Sequence, residues 1–74
     1  MFKEHLARII SRTDLSETQM SAMMSEIFDG KITDAQVGAM MAALATKGET
    51  FEELAGAARA MRKKAHRIQA ASQP

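Results

Sequence analysis

The sequence predicts a small all-α fold, a bundle of four helices, and two observations carry this prediction. Apolar residues recur every three or four positions along almost the whole chain, and no stretch alternates like a strand. A capping box, in which side chains three residues apart satisfy the first free N–H groups of a helix, occurs three times. We therefore expect helices over about residues 2–12, 17–29, 34–47 and 51–69. The boxes pair Ser16 with Gln19, Thr33 with Gln36, and Thr50 with Glu53.

Each helix is expected to bury one apolar face. On the first helix this face consists of Phe2, Leu6, Ile9 and Ile10. On the second helix it consists of Met20, Met23, Met24, Ile27 and Phe28. On the last helix it consists of Phe51, Leu54, Ala58, Met61, Ala65 and Ile68. Gly56 costs roughly 1 kcal/mol against alanine inside a helix, so we expect another backbone to pack closely against it.

Length and composition limit the classes of protein that the chain can represent. With 74 residues it forms one small domain, whose own core is marginal. The absence of cysteine excludes disulfides and thiolate metal sites, and we expect a cytoplasmic location. No uncharged run approaches the roughly 20 apolar residues of a membrane span. The net charge of +1 gives no general attraction to nucleic acid, so we expect neither a membrane nor a nucleic-acid partner.

The third predicted helix is the most informative, because residues 37–45 include no polar side chain. A helix that is apolar all round is expected to be buried all round, and a domain of this size has too little material to enclose one. We therefore expect part of this helix to contact another chain or domain. The alternative is that its alanines are good helix formers that tolerate water. The residues predicted for the interface are Val37, Gly38, Met40, Met41, Ala42, Leu44 and Ala45.

No group of residues forms a recognisable catalytic, cofactor or metal site. His5 and His66 lie at opposite ends of the chain without a second ligand at zinc spacing, and we expect both on solvated helix surfaces. A cationic cluster near the end of the last helix comprises Arg59, Arg62, Lys63, Lys64 and Arg67. These cations spread around more than half of the helix circumference, and no aromatic residue lies among them. We interpret them as a solvated face near a helix C-terminus, and nucleic-acid binding is the weaker hypothesis.

Several segments of the sequence resemble a known family. They are Gly30-Lys-Ile-Thr-Asp-Ala-Gln-Val-Gly-Ala39, Ala43-Leu44, Lys47-Gly-Glu-Thr50 and Glu52-Glu-Leu-Ala-Gly-Ala-Ala-Arg-Ala-Met-Arg62. Together they resemble the N-terminal helical domain of the anthranilate phosphoribosyltransferases, over nearly all of the chain from Leu6 to Lys64. The pyrimidine nucleoside phosphorylases share this domain but usually depart from the Ala-Gly-Ala-Ala segment, so they are the alternative.

The resemblance implies a two-domain glycosyltransferase of tryptophan biosynthesis, which uses Mg²⁺ to transfer a phosphoribosyl group from phosphoribosyl pyrophosphate to anthranilate. The family's catalytic motifs, among them Gly-Thr-Gly-Gly-Asp, do not occur in this sequence. The resemblance therefore implies no catalytic residue here and a chain that is inactive alone.

The resemblance also implies an architecture. In the family the helical domain closes over the substrates and supplies much of the homodimer interface through its first and third helices, which adds Leu6 and Ile10 to the predicted interface. Residues 1–69 then form a dimerisation and closing domain, and residues 70–74 begin a hinge into a missing α/β catalytic domain. A stand-alone helical dimerisation or adaptor module remains the competing hypothesis.

Overall fold

The computed structural model describes the backbone of residues 1–72 and the side chains of residues 1–65. The described backbone forms four α-helices and no strand: α1 (Phe2–Ile10), α2 (Glu17–Phe28), α3 (Asp34–Lys47) and α4 (Phe51–Ser72). This confirms the predicted all-α bundle. The last helix continues three residues beyond its predicted end, so residues 70–72 are helical, while residues 73–74 lie outside the described part of the chain.

The predicted capping boxes account for the starts of three helices. Ser16 Oγ accepts a hydrogen bond from Gln19 N at 3.1 Å, and Gln19 Oε1 accepts one from Ser16 N at 2.9 Å. The same two bonds join Thr33 and Gln36, at 3.2 and 3.0 Å. The third box begins α4 at Thr50. Each box satisfies donors that a helix would otherwise leave free, and this fixes the residue at which the helix begins.

The first helix ends two residues earlier than predicted, because Arg12 adopts the left-handed conformation with φ 65°. Arg12 N donates to Ile9 O at 2.9 Å, and Thr13 N donates to Arg8 O at 2.8 Å. This pair of bonds is the usual closure of a helix C-terminus, although glycine is the usual residue at the left-handed position. After this turn the chain places Leu15 in the core, where it is buried.

The helices pack as two pairs. The most extensive packing is that of α2 along α4, and α1 packs on α3 and to a smaller extent on α2. The side chains buried between them are Phe2, Ile9, Leu15, Met20, Met23, Met40 and Leu44. Methionine suits this core because its unbranched side chain fills irregular gaps. The predicted inner faces of α1 and α2 are confirmed, except that Ile10 is exposed.

The inner face of α4 differs from the predicted one. Its buried residues are Glu53, Gly56 and Ala60. A Cβ atom on Gly56 would collide with Glu17 O and lie 2.9 Å from Met20 Cβ, so the α2 and α4 backbones are very close here. Only small side chains permit this approach, which excludes the larger apolar residues of α4 from the inner position. The predicted inner stripe was therefore wrong, and the residues found exposed are Phe51, Leu54, Ala58, Met61 and Ala65. The side chain of Ile68, the last member of that stripe, lies outside the described residues.

Candidate interaction surface

An apolar surface is exposed along α1 and α3, and we call it the α1–α3 surface. On α1 it contains Ile10, which is 62% exposed, and on α3 it contains Met41, which is 61% exposed. Among the small residues that α3 exposes are Gly38, Ala39, Ala42 and Ala45. A Cβ atom on Gly38 would meet nothing within 4 Å, so no other described part of the chain covers this position. Another helix could approach this side of α3 closely, because small residues allow a short distance between helix axes.

A groove of about 230 Å³ lies between α1 and α3. It is lined by residues of both helices and by the turn between α1 and α2, among them Ile9, Arg12, Ala43 and Thr46. None of these four residues belongs to the predicted interface. Arg12 has a left-handed backbone, which the amino-acid pattern did not indicate.

The predicted interface residues divide into two groups. Met40 and Leu44 are buried in the core of the chain itself, and Leu6 and Val37 are half-buried. The residues that remain open to a partner are Ile10, Gly38, Met41, Ala42 and Ala45. A helix without polar residues does not reveal which of its sides faces its own domain, so the sequence could not make this division. The interface itself stays a prediction.

A buried ion pair lies near one end of this surface and joins three segments of the chain. Lys47 Nζ, at the end of α3, is 2.8 Å from Glu53 Oε1 on α4 and 2.9 Å from Asp14 Oδ1 before α2. The side chains of Lys47 and Glu53 are 4% and 0% exposed. Glu53 also accepts hydrogen bonds from Leu15 N at 2.7 Å and from Thr50 N at 2.9 Å. These contacts fix the end of α3 and the start of α4 against the α1–α2 connection.

Both members of the pair are held in their charged forms. Burial alone would raise the pKa of Glu53, but the hydrogen bonds from Leu15 N, Lys47 and Thr50 N outweigh it and hold the pKa below its ordinary value. Burial alone would lower the pKa of Lys47, but its bonds to Glu53 and Asp14 outweigh this and raise the pKa.

The sequence pattern predicted Glu53 only as a helix cap and not as the partner of Lys47. The signal that could have indicated the pair is the opposite charge of Lys47, at the end of α3, and Glu53, six residues later in the first turn of α4. In the structure Lys47 and Glu53 form the buried ion pair, and Thr50 and Glu53 form the third capping box.

The cationic cluster of α4 is partly held by contacts within the chain. Arg59 lies 3.8 Å from Glu17, and Lys64 Nζ lies 4.5 Å from the centre of the Phe28 ring. The Arg67 side chain lies outside the described residues. The other described members of the cluster, Arg62 and Lys63, line a groove of about 620 Å³ between α2 and α4. The acidic Asp29 lines the same groove. The interpretation of this cluster as a solvated helix face stays a prediction.

The described side chains include no group of three His, Cys, Asp or Glu residues that could hold a metal ion. His5 is half-buried rather than solvated, and its Nδ1 has no hydrogen-bond partner among the described residues. The side chain of His66 lies outside that part of the chain. Within the described helices, none is both long and apolar enough to cross a membrane.

Comparison with known families identifies the family of the chain. The model of the helical bundle domain of the glycosyl transferase family matches residues 3–65. The chain belongs to this glycosyl transferase family. This match agrees with two predictions from the sequence, the all-α bundle and the resemblance to the anthranilate phosphoribosyltransferases.

Curated relatives of this glycosyl transferase domain include two anthranilate phosphoribosyltransferases that are each 68% identical to it over 72 residues. They come from Desulfosudis oleivorans and Syntrophobacter fumaroxidans, and the match covers 97% of this chain and 21% of each relative. The anthranilate phosphoribosyltransferase of Desulfatibacillum aliphaticivorans is 56% identical over the same shares. The resemblance stated from the sequence is thereby confirmed. The chain spans about a fifth of the length of these relatives, and no solved structure matches it.

Proposed function

We propose that the chain is the N-terminal helical domain of an anthranilate phosphoribosyltransferase, which transfers a phosphoribosyl group to anthranilate in tryptophan biosynthesis. The observation that carries the proposal is 68% identity over 97% of the chain to proteins of that name. The three relatives named above are all transferases, which favours this function over that of a pyrimidine nucleoside phosphorylase. The catalytic residues and the Mg²⁺ site are assigned to the rest of the longer protein.

Within that enzyme, the domain's own role is to hold a second copy through the α1–α3 surface and to close over the substrates of the catalytic domain. The exposed side chain of Ile10 beside the small residues of α3 supports this role. A contiguous exposed apolar patch on a small domain typically marks an interaction site. A symmetric dimer would bring the same patch of both copies together, so Ala42 of one copy faces the patch of the other.

The dimer is tested by placing a charge on this patch. In the longer protein, Ala42→Glu should raise the dissociation constant of the dimer by at least about tenfold, measured by sedimentation equilibrium. The matched control is Thr18→Glu, which adds the same charge to an exposed position of α2 and should leave the dissociation constant unchanged. Equal dissociation constants for the two variants would contradict an interface at this surface.

The reading frame tests whether the chain is a domain or a stand-alone module. Our proposal expects an open frame after the codon for Pro74 that encodes Gly-Thr-Gly-Gly-Asp, whereas a stop codon there would support a stand-alone dimerisation or adaptor module. The longer protein should then form phosphoribosyl anthranilate in the presence of Mg²⁺, and the 74-residue chain should not. We also propose a cytoplasmic location, which fractionation of the source cells would test.

A further inference from the structure

The groove of about 620 Å³ between α2 and α4 concentrates positive charge, and we call it the α2–α4 groove. Among the described residues that line it, three are cations, Arg59, Arg62 and Lys63, and one is acidic, Asp29. The carboxylate of Asp29 reduces the positive charge of the lining but does not cancel it. The groove therefore attracts anions rather than cations.

The position of these cations within α4 does not account for them. Cations are favoured near the C-terminus of a helix, but this effect is confined to the last turn. The helix continues to Ser72, nine residues beyond Lys63, and its last turn contains no basic residue. Residues 54–74 contain five Lys or Arg residues, whereas all nine Asp and Glu residues of the chain precede them. The cluster is thus a local excess of positive charge that the helix dipole does not explain.

Two of the three cations in the groove have no anionic partner in the described part of the chain. Neither Arg62 nor Lys63 takes part in an ion pair between described side chains. Arg59 lies 3.8 Å from Glu17, but the two side chains are 42% and 47% exposed, and such an exposed pair is weak. The positive charge of the groove is therefore largely available to a ligand.

The shape and the remaining lining of the groove suit a small molecule. Its volume lies within the range of roughly 300–1,000 Å³ that is usual for small-molecule sites. Part of the lining is apolar, because it includes the half-buried Phe28 and the buried Ala60. The N–H groups of an arginine match the oxygens of a phosphate in pairs, and a lysine binds phosphate as a point charge.

We propose that the α2–α4 groove binds a phosphate group, either free or carried by a small organic molecule. A phosphate group on an organic molecule carries a charge of about −1.5 to −2 at neutral pH and three acceptor oxygens, which suits several cations better than a single carboxylate does. Nucleic acid fits less well, because a base stacks on an aromatic ring and Lys64 Nζ already lies over the Phe28 ring, 4.5 Å from its centre. The bound phosphate would replace water at a solvated face. The proposal concerns residues of this domain and does not depend on the transfer reaction.

Lysine labelling of the longer protein tests this site. The rate at which an acylating reagent modifies each lysine is measured by mass spectrometry, with and without phenyl phosphate or inorganic phosphate. Lys63 lines the groove, and Lys31, which is also exposed but does not line it, is the matched control. At about 10 mM probe and a dissociation constant of about 1 mM, roughly nine sites in ten are filled. We therefore expect the labelling of Lys63 to slow by at least about threefold and that of Lys31 to stay unchanged.

Substitutions in the longer protein locate the binding charge. Arg62→Gln should raise the phenyl phosphate concentration that halves the labelling of Lys63 by at least about fivefold, because it removes charge-assisted donors. Lys31→Gln removes the same charge outside the groove and should leave that concentration unchanged. Equal effects of the two variants would contradict a site in the groove.

Sodium chloride at the same ionic strength separates binding from screening. Slowing of Lys63 by chloride that equals the slowing by phosphate, or equal slowing of Lys63 and Lys31, would overturn the proposal. Stronger protection of Lys63 by an oligonucleotide at equal phosphate concentration would overturn the small ligand in favour of a nucleic acid. Protection at a lower concentration of phenyl phosphate than of inorganic phosphate would support a ligand with an organic part. Protection at an equal or lower concentration of inorganic phosphate would support free phosphate.

Discussion

Glu53→Gln removes the negative charge of the buried ion pair while keeping nearly the same side-chain shape. The carboxylate of Glu53 accepts from Lys47 Nζ at 2.8 Å, from Leu15 N at 2.7 Å and from Thr50 N at 2.9 Å. A glutamine has an acceptor on one side only, and its amide nitrogen would face either the Lys47 ammonium or Leu15 N–H, both donors. The variant therefore leaves a buried donor unpaired and Lys47 with Asp14 as its remaining charged partner.

The magnitude follows from the burial of the two partners. Removing one member of a buried ion pair costs about 3–5 kcal/mol. Asp14 stays 2.9 Å from Lys47 Nζ, but its side chain is 64% exposed, so it compensates only part of the loss. We expect Glu53→Gln to lower the free energy of unfolding by about 2–4 kcal/mol. Since small domains are stable by roughly 5 kcal/mol or somewhat more, the variant should be close to unfolding at room temperature.

Urea unfolding, followed by far-UV circular dichroism at neutral pH, measures this loss. The control is Asp14→Asn, which breaks only the exposed bond to Lys47 and should cost at most about 1 kcal/mol. The double variant Lys47→Met, Glu53→Gln should lose less than the sum of its two single variants, because each single change leaves the other partner buried and unpaired. A loss for Glu53→Gln no larger than that for Asp14→Asn, or strict additivity in the double variant, would refute the reasoning.

The same pair also predicts a pH dependence. Because the folded pKa of Glu53 is lowered and that of Lys47 is raised, their contribution to the free energy of unfolding should be complete between about pH 4.5 and pH 10.5. This contribution should be lost as the pH falls below about 4.5 or rises above about 10.5. Urea unfolding midpoints measured across the pH range check the prediction. A change in stability near neutral pH would contradict the pairing. Gly56→Ala should cost about 1–3 kcal/mol, because its Cβ would collide with the α2 backbone. In the matched control Gly38→Ala, the added Cβ meets no neighbouring atom, so the free energy of unfolding should rise by up to about 1 kcal/mol. Equal changes in the melting temperatures of the two variants would contradict the close packing of α2 and α4.

The starts of the helices could be predicted because capping is a local interaction. Ser16 and Gln19 are three residues apart, so their pairing depends on little beyond the sequence between them. Glu53 shows where local reasoning ends. Its bond to Thr50 follows from the same spacing, but its partners Lys47 and Leu15 come from other segments that only the fold brings together.

The candidate surface was predicted in part for a related reason. The run of apolar residues at 37–45 predicted a partner for α3, and the structure shows apolar residues of this run exposed, while the partner itself stays a prediction. It did not indicate that Met40 and Leu44 face the core while Gly38 and Ala42 face outward. On α4 the pattern also failed, because an apolar stripe has the same spacing whether its own domain or another segment covers it.

The orientation of α4 reflects a competition between two comparable energies. Rotating α4 so that Leu54 and Met61 face inward would gain about 1.5–3 kcal/mol for each side chain fully buried. The same rotation would separate Glu53 from Lys47, at a cost of about 3–5 kcal/mol. In the described chain Leu54 and Met61 stay 57% exposed while the side chain of Glu53 is fully buried against Lys47, so the ion pair decides the orientation. Leu54→Gln should therefore change the free energy of unfolding of the 74-residue chain by less than about 1 kcal/mol, since Leu54 is already more than half exposed there. A loss as large as the one expected for Glu53→Gln, measured by urea unfolding, would contradict this competition.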